Sequence, residues 1–250
     1  MRIVLLFCML FYLEGLCAQE TFVLLKEADN FEKSLKENEA LDKYKQVLLG
    51  EPNNCKALVK ATELSCRIGG RAVQKSDKKL YFETALAYAN RAVIAESSNA
   101  DAYYALALAC GKMTEVETDN KKIVSYVKEI AVNAQKALAL NPAHGKANYV
   151  AGKWHCEMFN LNGLKKAAVK LLYGGLPIAT MDSAIYYMEK CRTYEPYFVV
   201  NYVDLAKAYE LHNKTAKQIE ILEKLVKLPN RTADDANLKS EAQKKLSELL

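Results

Sequence analysis

The chain has 250 residues, of which 51% are hydrophobic and 26% charged, and its formal net charge is +5. This is ordinary globular composition, long enough for one or two domains with a sizeable core. The charge is mild and Lys alternates with Glu along most segments, which argues against a nucleic-acid-binding stripe. Ten glycines and five prolines are few for the many turns of a β protein, so the composition favours helices.

Residues 1–18 have the pattern of a secretory signal peptide. Arg2 is a short basic region, residues 3–13 are an apolar run, and Leu16-Cys17-Ala18 resembles a cleavage site. The apolar run is too short to span a membrane as a helix. We expect a leader that is cleaved before Gln19, and we favour this over a lipid anchor and over an anchor that is retained in the membrane. We also expect export to a bacterial periplasm.

After the leader, hydrophobic periodicity predicts helices through the rest of the chain. Thr180 and Thr232 are typical N-caps, because their hydroxyls can accept helix N–H groups. Longer connections are expected at 69–79, 113–122 and 159–179. The last helix is polar on one side and leucine-rich on the other, as in a terminal cap. The predicted helices span 20–37, 39–49, 54–68, 78–95, 100–113, 120–140, 144–160, 163–173, 180–194, 198–212, 214–228 and 232–249.

Four helix ends share one spacing, centred on Pro52, Ser97, Pro142 and Pro196. An apolar residue lies five residues before each of them, and a small residue lies nine or ten residues after. This spacing resembles the tetratricopeptide pattern, in which small residues let paired helices approach closely and larger ones fill the gaps. The prediction for 19–250 is a single all-α domain. It is a tetratricopeptide-like right-handed superhelix of about five antiparallel helix pairs with a C-terminal capping helix.

The stretch GKANYVAGKW at 145–154 has an alternative interpretation as a phosphate-binding loop. Such a loop needs G-x-x-x-x-G-K-[ST] at a strand-to-helix turn, where backbone N–H groups converge on phosphate. Here six residues separate the glycines, Trp154 stands where a hydroxyl is needed, and no strand is predicted before it. The repeat instead places Gly152 at a close-approach position inside a helix, with Lys153 on the outside turn.

The C-terminal half contains AGKW (151–154), LLYGGLPIAT (171–180), MDSAIYYMEK (181–190) and LVKLP (225–229) in this order. Over 121–229 the chain thereby resembles the regulator of microtubule dynamics family, an atypical tetratricopeptide group with bacterial relatives. The resemblance implies a helical-repeat interaction protein and transfers no catalytic residues. A microtubule role is not expected for a protein that a bacterium exports.

Five cysteines remain in the predicted mature chain, an odd number without a C-x-x-C pair. They fall on apolar helical faces, where a free cysteine behaves as a small hydrophobe, and a disulfide is left open. The five are Cys55, Cys66, Cys110, Cys156 and Cys191.

No arrangement for catalysis or metal binding stands out. His144, His155 and Cys156 are the strongest zinc candidates, but tetrahedral zinc needs four converging ligands and no second pair is nearby. His155 falls at an aromatic position of the repeat, which predicts a packed core histidine. Cys156 lacks an activating base, because adjacent helix residues point about 100° apart. We expect no catalytic residue, no metal and no cofactor, and a protein that is not an enzyme.

The resemblance to tetratricopeptide superhelices implies that the first helix of each pair supplies most of the concave surface. It places Tyr104, Lys146, Tyr149, Lys153 and Lys207 in one groove. Lysines beside aromatic rings suit an acidic peptide or a C-terminal carboxylate, bound through charge-assisted hydrogen bonds. The alternative is that these lysines only solubilise the helices. We expect a protein or peptide partner of acidic character and no nucleic acid.

The predicted function is a non-catalytic protein–protein interaction module, a scaffold of the cell envelope. One alternative is a small-molecule or lipid binder that uses a cavity closed by the insert 159–179, and another is an envelope-anchored structural protein. In the insert, the helix 163–173 is amphipathic and could touch an anionic membrane, because its lysines lie away from an apolar stripe. The stripe consists of Leu164, Ala168, Leu171 and Leu172. We expect it to pack across the repeat instead, so membrane contact beyond the leader is not expected. The oligomeric state is left open.

Overall fold

The computed structural model describes residues 19–250, and the predicted signal peptide lies outside them. Within the described residues the chain forms twelve helices and no strand. Each helix lies within a few residues of its prediction, so the all-α prediction is confirmed. The helices are α1 (19–33), α2 (Glu37–Gly50), α3 (Cys55–Arg71), α4 (Lys75–Ala95), α5 (Ala100–Met113), α6 (Asn120–Leu140), α7 (Gly145–Asn160), α8 (Gly163–Tyr173), α9 (Met181–Tyr194), α10 (Val199–Leu211), α11 (Thr215–Leu225) and α12 (Asp235–Leu249).

Polar side chains set where several helices begin. The Asn54 side chain accepts a backbone N–H of the first turn of α3, which has no partner inside the helix. The predicted cap Thr180 is confirmed, because its hydroxyl accepts the Ser183 N–H at 3.1 Å. The prediction for Thr232 is wrong. Helix α12 begins three residues later, and the Thr232 hydroxyl donates to the Asp235 carboxylate instead.

The helices pack as five pairs and a cap. Helix α3 packs against α4, α5 against α6, α7 against α9 and α10 against α11, while α12 contacts both α10 and α11. The first pair, α1 and α2, is joined by the Tyr44 hydroxyl, which contacts the carboxylates of Asp29 and Glu32. This order confirms the tetratricopeptide-like prediction.

The two rows of helices differ in how closely they pack along the stack. Contacts join α3 to α5, α5 to α7, and α7 to α10. Among the described residues, no comparable contact joins α4, α6, α9 and α11 to one another. A stack curves toward the row that is in contact. The helices α1, α3, α5, α7 and α10 therefore line its inner side, which we call the concave surface.

Gly152 lies inside α7, where α7 meets α9. A Cβ atom at this position would lie 2.7 Å from Met188 Cγ and 2.9 Å from the Ala184 carbonyl oxygen. No larger residue fits at that separation without moving α9. The stretch GKANYVAGKW is therefore part of a helix–helix contact, and the close-approach prediction for Gly152 is confirmed.

One arginine connects the two ends of the stack. At the end of α3, Arg71 donates from Nη1 to Asp234 Oδ2 at 2.9 Å, across 163 residues of sequence. Its Nη2 pairs with Glu37 at the start of α2, whose side chain is only 4% exposed. We call this three-residue contact the Arg71 bridge. It ties the second helix pair to the turn that precedes the capping helix.

Helix α8 stands apart from the paired helices. It interrupts the pair of α7 and α9 in sequence and contacts α6. Leu164 and Leu171, two members of its predicted apolar stripe, are each 85% exposed. The expectation that this stripe packs across the repeat is wrong for these two leucines. Within residues 19–250, no helix combines the length and the apolar character that crossing a membrane requires.

Candidate binding site on the concave surface

A buried carboxylate lies at the centre of the first cluster on the concave surface. Glu63 Oε1 accepts hydrogen bonds from the Tyr104 hydroxyl at 2.9 Å and from Lys146 Nζ at 2.6 Å. Its other oxygen is 3.5 Å from Lys60 Nζ. Burial alone would raise the pKa of Glu63, but Lys146, Lys60 and Arg67 hold it well below its usual value. Glu63 therefore stays ionised and joins α3, α5 and α7.

The second cluster repeats this chemistry one pair further along. Asp204 Oδ2, on α10, accepts from the Tyr149 hydroxyl at 2.7 Å and from Lys153 Nζ at 3.0 Å. Burial and the Asp204 carboxylate raise the pKa of Tyr149 well above its usual value, which keeps its hydroxyl a donor. The Tyr149 ring also packs edge-on against Phe198, with centroids 5.1 Å apart.

Ion pairs between α1 and α3 add charges of both signs, with the carboxylates on α1 and the cations on α3. Lys56 Nζ lies 2.7 Å from Asp29 Oδ2, and Lys60 Nζ lies 3.2 Å from Glu32 Oε1. Arg67 reaches Glu32 as well, at 3.4 Å. From α1 to α10, the concave surface is thus lined by alternating cations and carboxylates rather than by one sign of charge.

Four of the five predicted groove residues fall into the two clusters. The Lys146 ammonium lies 5.9 Å from the Tyr104 ring centroid, and the Lys153 ammonium lies 5.9 Å from the Tyr149 ring centroid. Both rings are buried and both ammonium groups are paired with a carboxylate. Lys207, on α10, is exposed and makes no ion pair or hydrogen bond within residues 19–250.

The sequence prediction missed the two carboxylates. Glu63 lies four residues after Val59, and Asp204 lies three residues before Lys207. Residues three and four apart share a helix face, and the resemblance to the tetratricopeptide repeat implies an inward position for Val59 as well as for Lys207. This spacing was the available signal that Glu63 and Asp204 face the same surface as the predicted lysines.

Two histidines contact neighbouring rings or cap a helix. The His155 ring lies 5.7 Å from Tyr187 in a stacked arrangement, and 5.1 Å from Trp154. The ring is packed as predicted, but the residue is half-buried rather than in the core, and its enclosed Nδ1 has no hydrogen-bond partner in the described chain. His144 Nδ1 accepts the Ala147 N–H at 3.1 Å and so caps α7. In residues 19–250, no group of three His, Cys, Asp or Glu side chains is placed to hold a metal ion.

The five cysteines of the described chain are free thiols and buried, as their apolar helical positions predict. Burial raises the pKa of Cys55 to about 11 and that of Cys66 to about 12. The reactive form of cysteine is the thiolate. These side chains therefore act as small apolar core residues.

A cavity of about 420 Å³ lies under the insert, between the end of α7, helix α8 and residues 174–179. We call it the insert cavity. Met158, Leu161, Val169 and Leu176 give it apolar walls, and two lysines of α8 also line it. Its volume lies within the range of about 300–1,000 Å³ that is usual for small-molecule sites.

The paired helices and their shared inner surface define an α-helical repeat protein of the tetratricopeptide class. The solved structure of a thermophilic TPR protein of Thermus thermophilus, TTC0263, aligns with a TM-score of 0.65 and 14% identity. The alignment covers 91% of this chain and 99% of that one. At this identity the likeness concerns the fold alone.

Residues 24–250 match the family model described as regulator of microtubule dynamics protein 1-3. The chain belongs to the regulator of microtubule dynamics family. It is 29% identical over 167 residues to regulator of microtubule dynamics protein 3 of Xenopus laevis, an alignment that covers 66% of this chain and 35% of the relative. It is 26% identical over 176 residues to protein 1 of Homo sapiens, with 69% and 55% covered. The chain thus spans between about a third and just over half of these relatives' lengths.

Proposed function

We propose that this protein is a non-catalytic interaction module that binds a segment of a partner protein along the concave surface. The observation that carries the proposal is the row of charged and hydrogen-bonding side chains on successive inner helices, centred on Glu63 and Asp204. Around these two paired carboxylates, the partly exposed Lys56, Asp29 and Lys153 offer a partner both signs of charge at fixed positions, which suits specific recognition of an extended segment.

We propose an acidic character for the part of the partner that lies near α10. Lys146 and Lys153 are already paired with Glu63 and Asp204. Lys207 is exposed and unpaired within the described chain, so a carboxylate of the partner can approach it without displacing one of the protein's own.

Photo-crosslinking tests the surface. A crosslinking amino acid at position 203 lies one turn before Lys207 on α10 and leaves that lysine in place. One at position 136 replaces an exposed lysine on α6, in the outer row. In extracts from the source cells, we expect position 203 to capture a discrete partner that position 136 does not, identified by mass spectrometry. Equal capture from both positions would contradict the proposal.

We propose further that the protein works in a cell envelope after its leader is removed before Gln19. Intact-mass measurement of the native protein tests this, because a retained leader or an added acyl chain changes the mass. The periplasm stays a prediction, and the relatives named above, both from vertebrates, give it no support.

A second candidate function is a small-molecule or lipid binder that uses the insert cavity. The apolar walls and the volume of about 420 Å³ favour it. Native mass spectrometry of protein purified without detergent tests it. A bound species that disappears when Val169→Trp fills the cavity would support this candidate, and an unliganded mass for the unaltered protein would contradict it.

A further inference from the structure

Helix α8 lies with a lysine-bearing side toward the repeats. Lys166, Val169 and Lys170 line the insert cavity, so this side of the helix faces the end of α7 and residues 174–179. The Lys166 ammonium also donates to the Phe159 carbonyl oxygen of α7 at 2.9 Å. These contacts fix the orientation of α8 relative to the rest of the protein.

The apolar stripe of α8 is turned toward solvent. At about 100° per residue, Leu164 and Leu171 lie within about 20° of each other around the helix and about 160° from the middle of the cavity side. Both leucines are 85% exposed. An amphipathic helix that turns its leucines to water leaves the free energy of burying them unused. This side of α8 is therefore a candidate docking surface.

The charge of the insert indicates what covers this side of α8. The insert 159–179 contains three lysines and no Asp or Glu. Of these, Lys170 is exposed and forms no ion pair within residues 19–250. A cationic segment with exposed leucines suits an anionic lipid surface, which offers an apolar layer beneath negative headgroups. A second copy of this protein suits it less, because the same three lysines would come together from both sides.

We infer that α8 lies on the surface of an anionic lipid bilayer, with Leu164 and Leu171 inserted and the cavity side of the helix facing the protein. The lysines of the insert reach the headgroups beside the helix through their flexible stems. The contact is peripheral, since no helix within residues 19–250 can cross a membrane. The expectation that membrane contact ends with the leader relied on packing of the stripe, which the two exposed leucines contradict.

Vesicle flotation tests the bilayer contact with residues 19–250, which form the whole described stack and lack the apolar leader. We expect binding to vesicles of equal parts phosphatidylglycerol and phosphatidylcholine, and binding about tenfold weaker or less to pure phosphatidylcholine. The double variant Leu164→Ser and Leu171→Ser should bind the anionic vesicles about tenfold more weakly, because its side chains gain little on leaving water. The matched control Leu49→Ser changes a leucine of α2 that is 84% exposed, and it should bind like the unaltered protein.

Lysine variants test the charge separately. Lys170→Ala should weaken binding to the anionic vesicles by about fivefold, because a lysine near such a surface contributes about that much. Lys33→Ala, which removes an exposed lysine of α1, should leave binding unchanged. Equal binding to both kinds of vesicle, or equal binding of the leucine double variant and the unaltered protein, would overturn the bilayer contact.

Two other occupants of the stripe give different results. A second copy would form a dimer in the absence of vesicles that the leucine double variant dissociates, as measured by analytical ultracentrifugation. A lipid drawn into the insert cavity would make vesicle binding sensitive to Val169→Trp and insensitive to the two leucines. Either result would overturn the bilayer contact, and neither bears on crosslinking at position 203, because the concave surface plays no part in it.

Discussion

At the scale of single residues, Gly152 gives a sharp test of the helix packing. We expect Gly152→Leu to cost about 1–3 kcal/mol of unfolding free energy, because the side chain must push α9 away. Gly70, on α3, has open space where a Cβ would lie. Gly70→Ala should therefore be neutral or stabilising by up to about 1 kcal/mol. Chemical denaturation measures both free energies of unfolding. An unchanged free energy in Gly152→Leu would mean that α7 and α9 do not meet at this position.

Glu63 gives a second residue-scale prediction. Glu63→Gln leaves the Lys146 ammonium without its buried carboxylate, which should cost about 3–5 kcal/mol at neutral pH. The surface variant Glu83→Gln, which loses a half-exposed pair with Lys79, should change stability by less than about 1 kcal/mol. Similar losses in both variants would contradict the central role of Glu63.

The lowered pKa of Glu63 fixes the sign of its pH dependence. A carboxyl whose pKa is lower in the folded state stabilises the fold above its unfolded pKa, about 4.3, and loses that contribution as the pH falls further. Between about pH 5 and 3, the unaltered protein should therefore lose more stability than Glu63→Gln does. Denaturation curves across this range measure the difference, and parallel curves would argue against an ionised Glu63.

At the scale of helices, α8 should contribute little to stability. Leu164→Ser and Leu171→Ser change exposed side chains, so each should alter the unfolding free energy by no more than about 0.5 kcal/mol. Leu205→Ala, in the fully buried core of α10, should cost about 2–5 kcal/mol. A large loss from either α8 variant, measured by thermal or chemical unfolding, would show that α8 packs in solution.

The elements also show what the sequence could predict. Helix positions and pairing follow from short-range periodicity and from helix ends such as Pro142, which are local properties of the chain. The apolar stripe of α8 showed only that one face is hydrophobic, since periodicity carries no information about what lies opposite. For the same reason the sequence could put Lys146 and Lys153 on one helix face, while the carboxylates that pair with them were not foreseen. Those contacts span 83 and 51 residues of sequence.

At the scale of the whole molecule, the Arg71 bridge should hold the two ends of the stack together. Asp234→Asn removes the charge at the capping end and leaves Glu37 paired. The pair is part-exposed, so the loss of stability should be at most about 1 kcal/mol. The distance between the two ends of the stack should change more clearly than the stability does. Spin labels at Lys75→Cys and Ala236→Cys should report a longer or broader distance distribution in Asp234→Asn.

Two controls accompany the distance measurement. Asp42→Asn breaks an exposed pair within α2 and should leave the distribution unchanged. High salt should broaden it in the unaltered protein, because exposed ion pairs are screened. Identical distributions for Asp234→Asn and the unaltered protein would show that the bridge does not hold the ends.

The Arg71 bridge should also change how the protein unfolds locally. In an open stack of repeats, each unit is stabilised only by contacts with its neighbours, so local unfolding at one end stops within a repeat or two. The Arg71 bridge joins α2 and α3 near one end of the stack to the start of α12 at the other, so the two end units are in direct contact. Slow hydrogen exchange should then be lost together in α2 and α12, although these helices lie at opposite ends of the sequence. Opening of one end would then favour opening of the other by up to the roughly 1 kcal/mol that the bridge contributes.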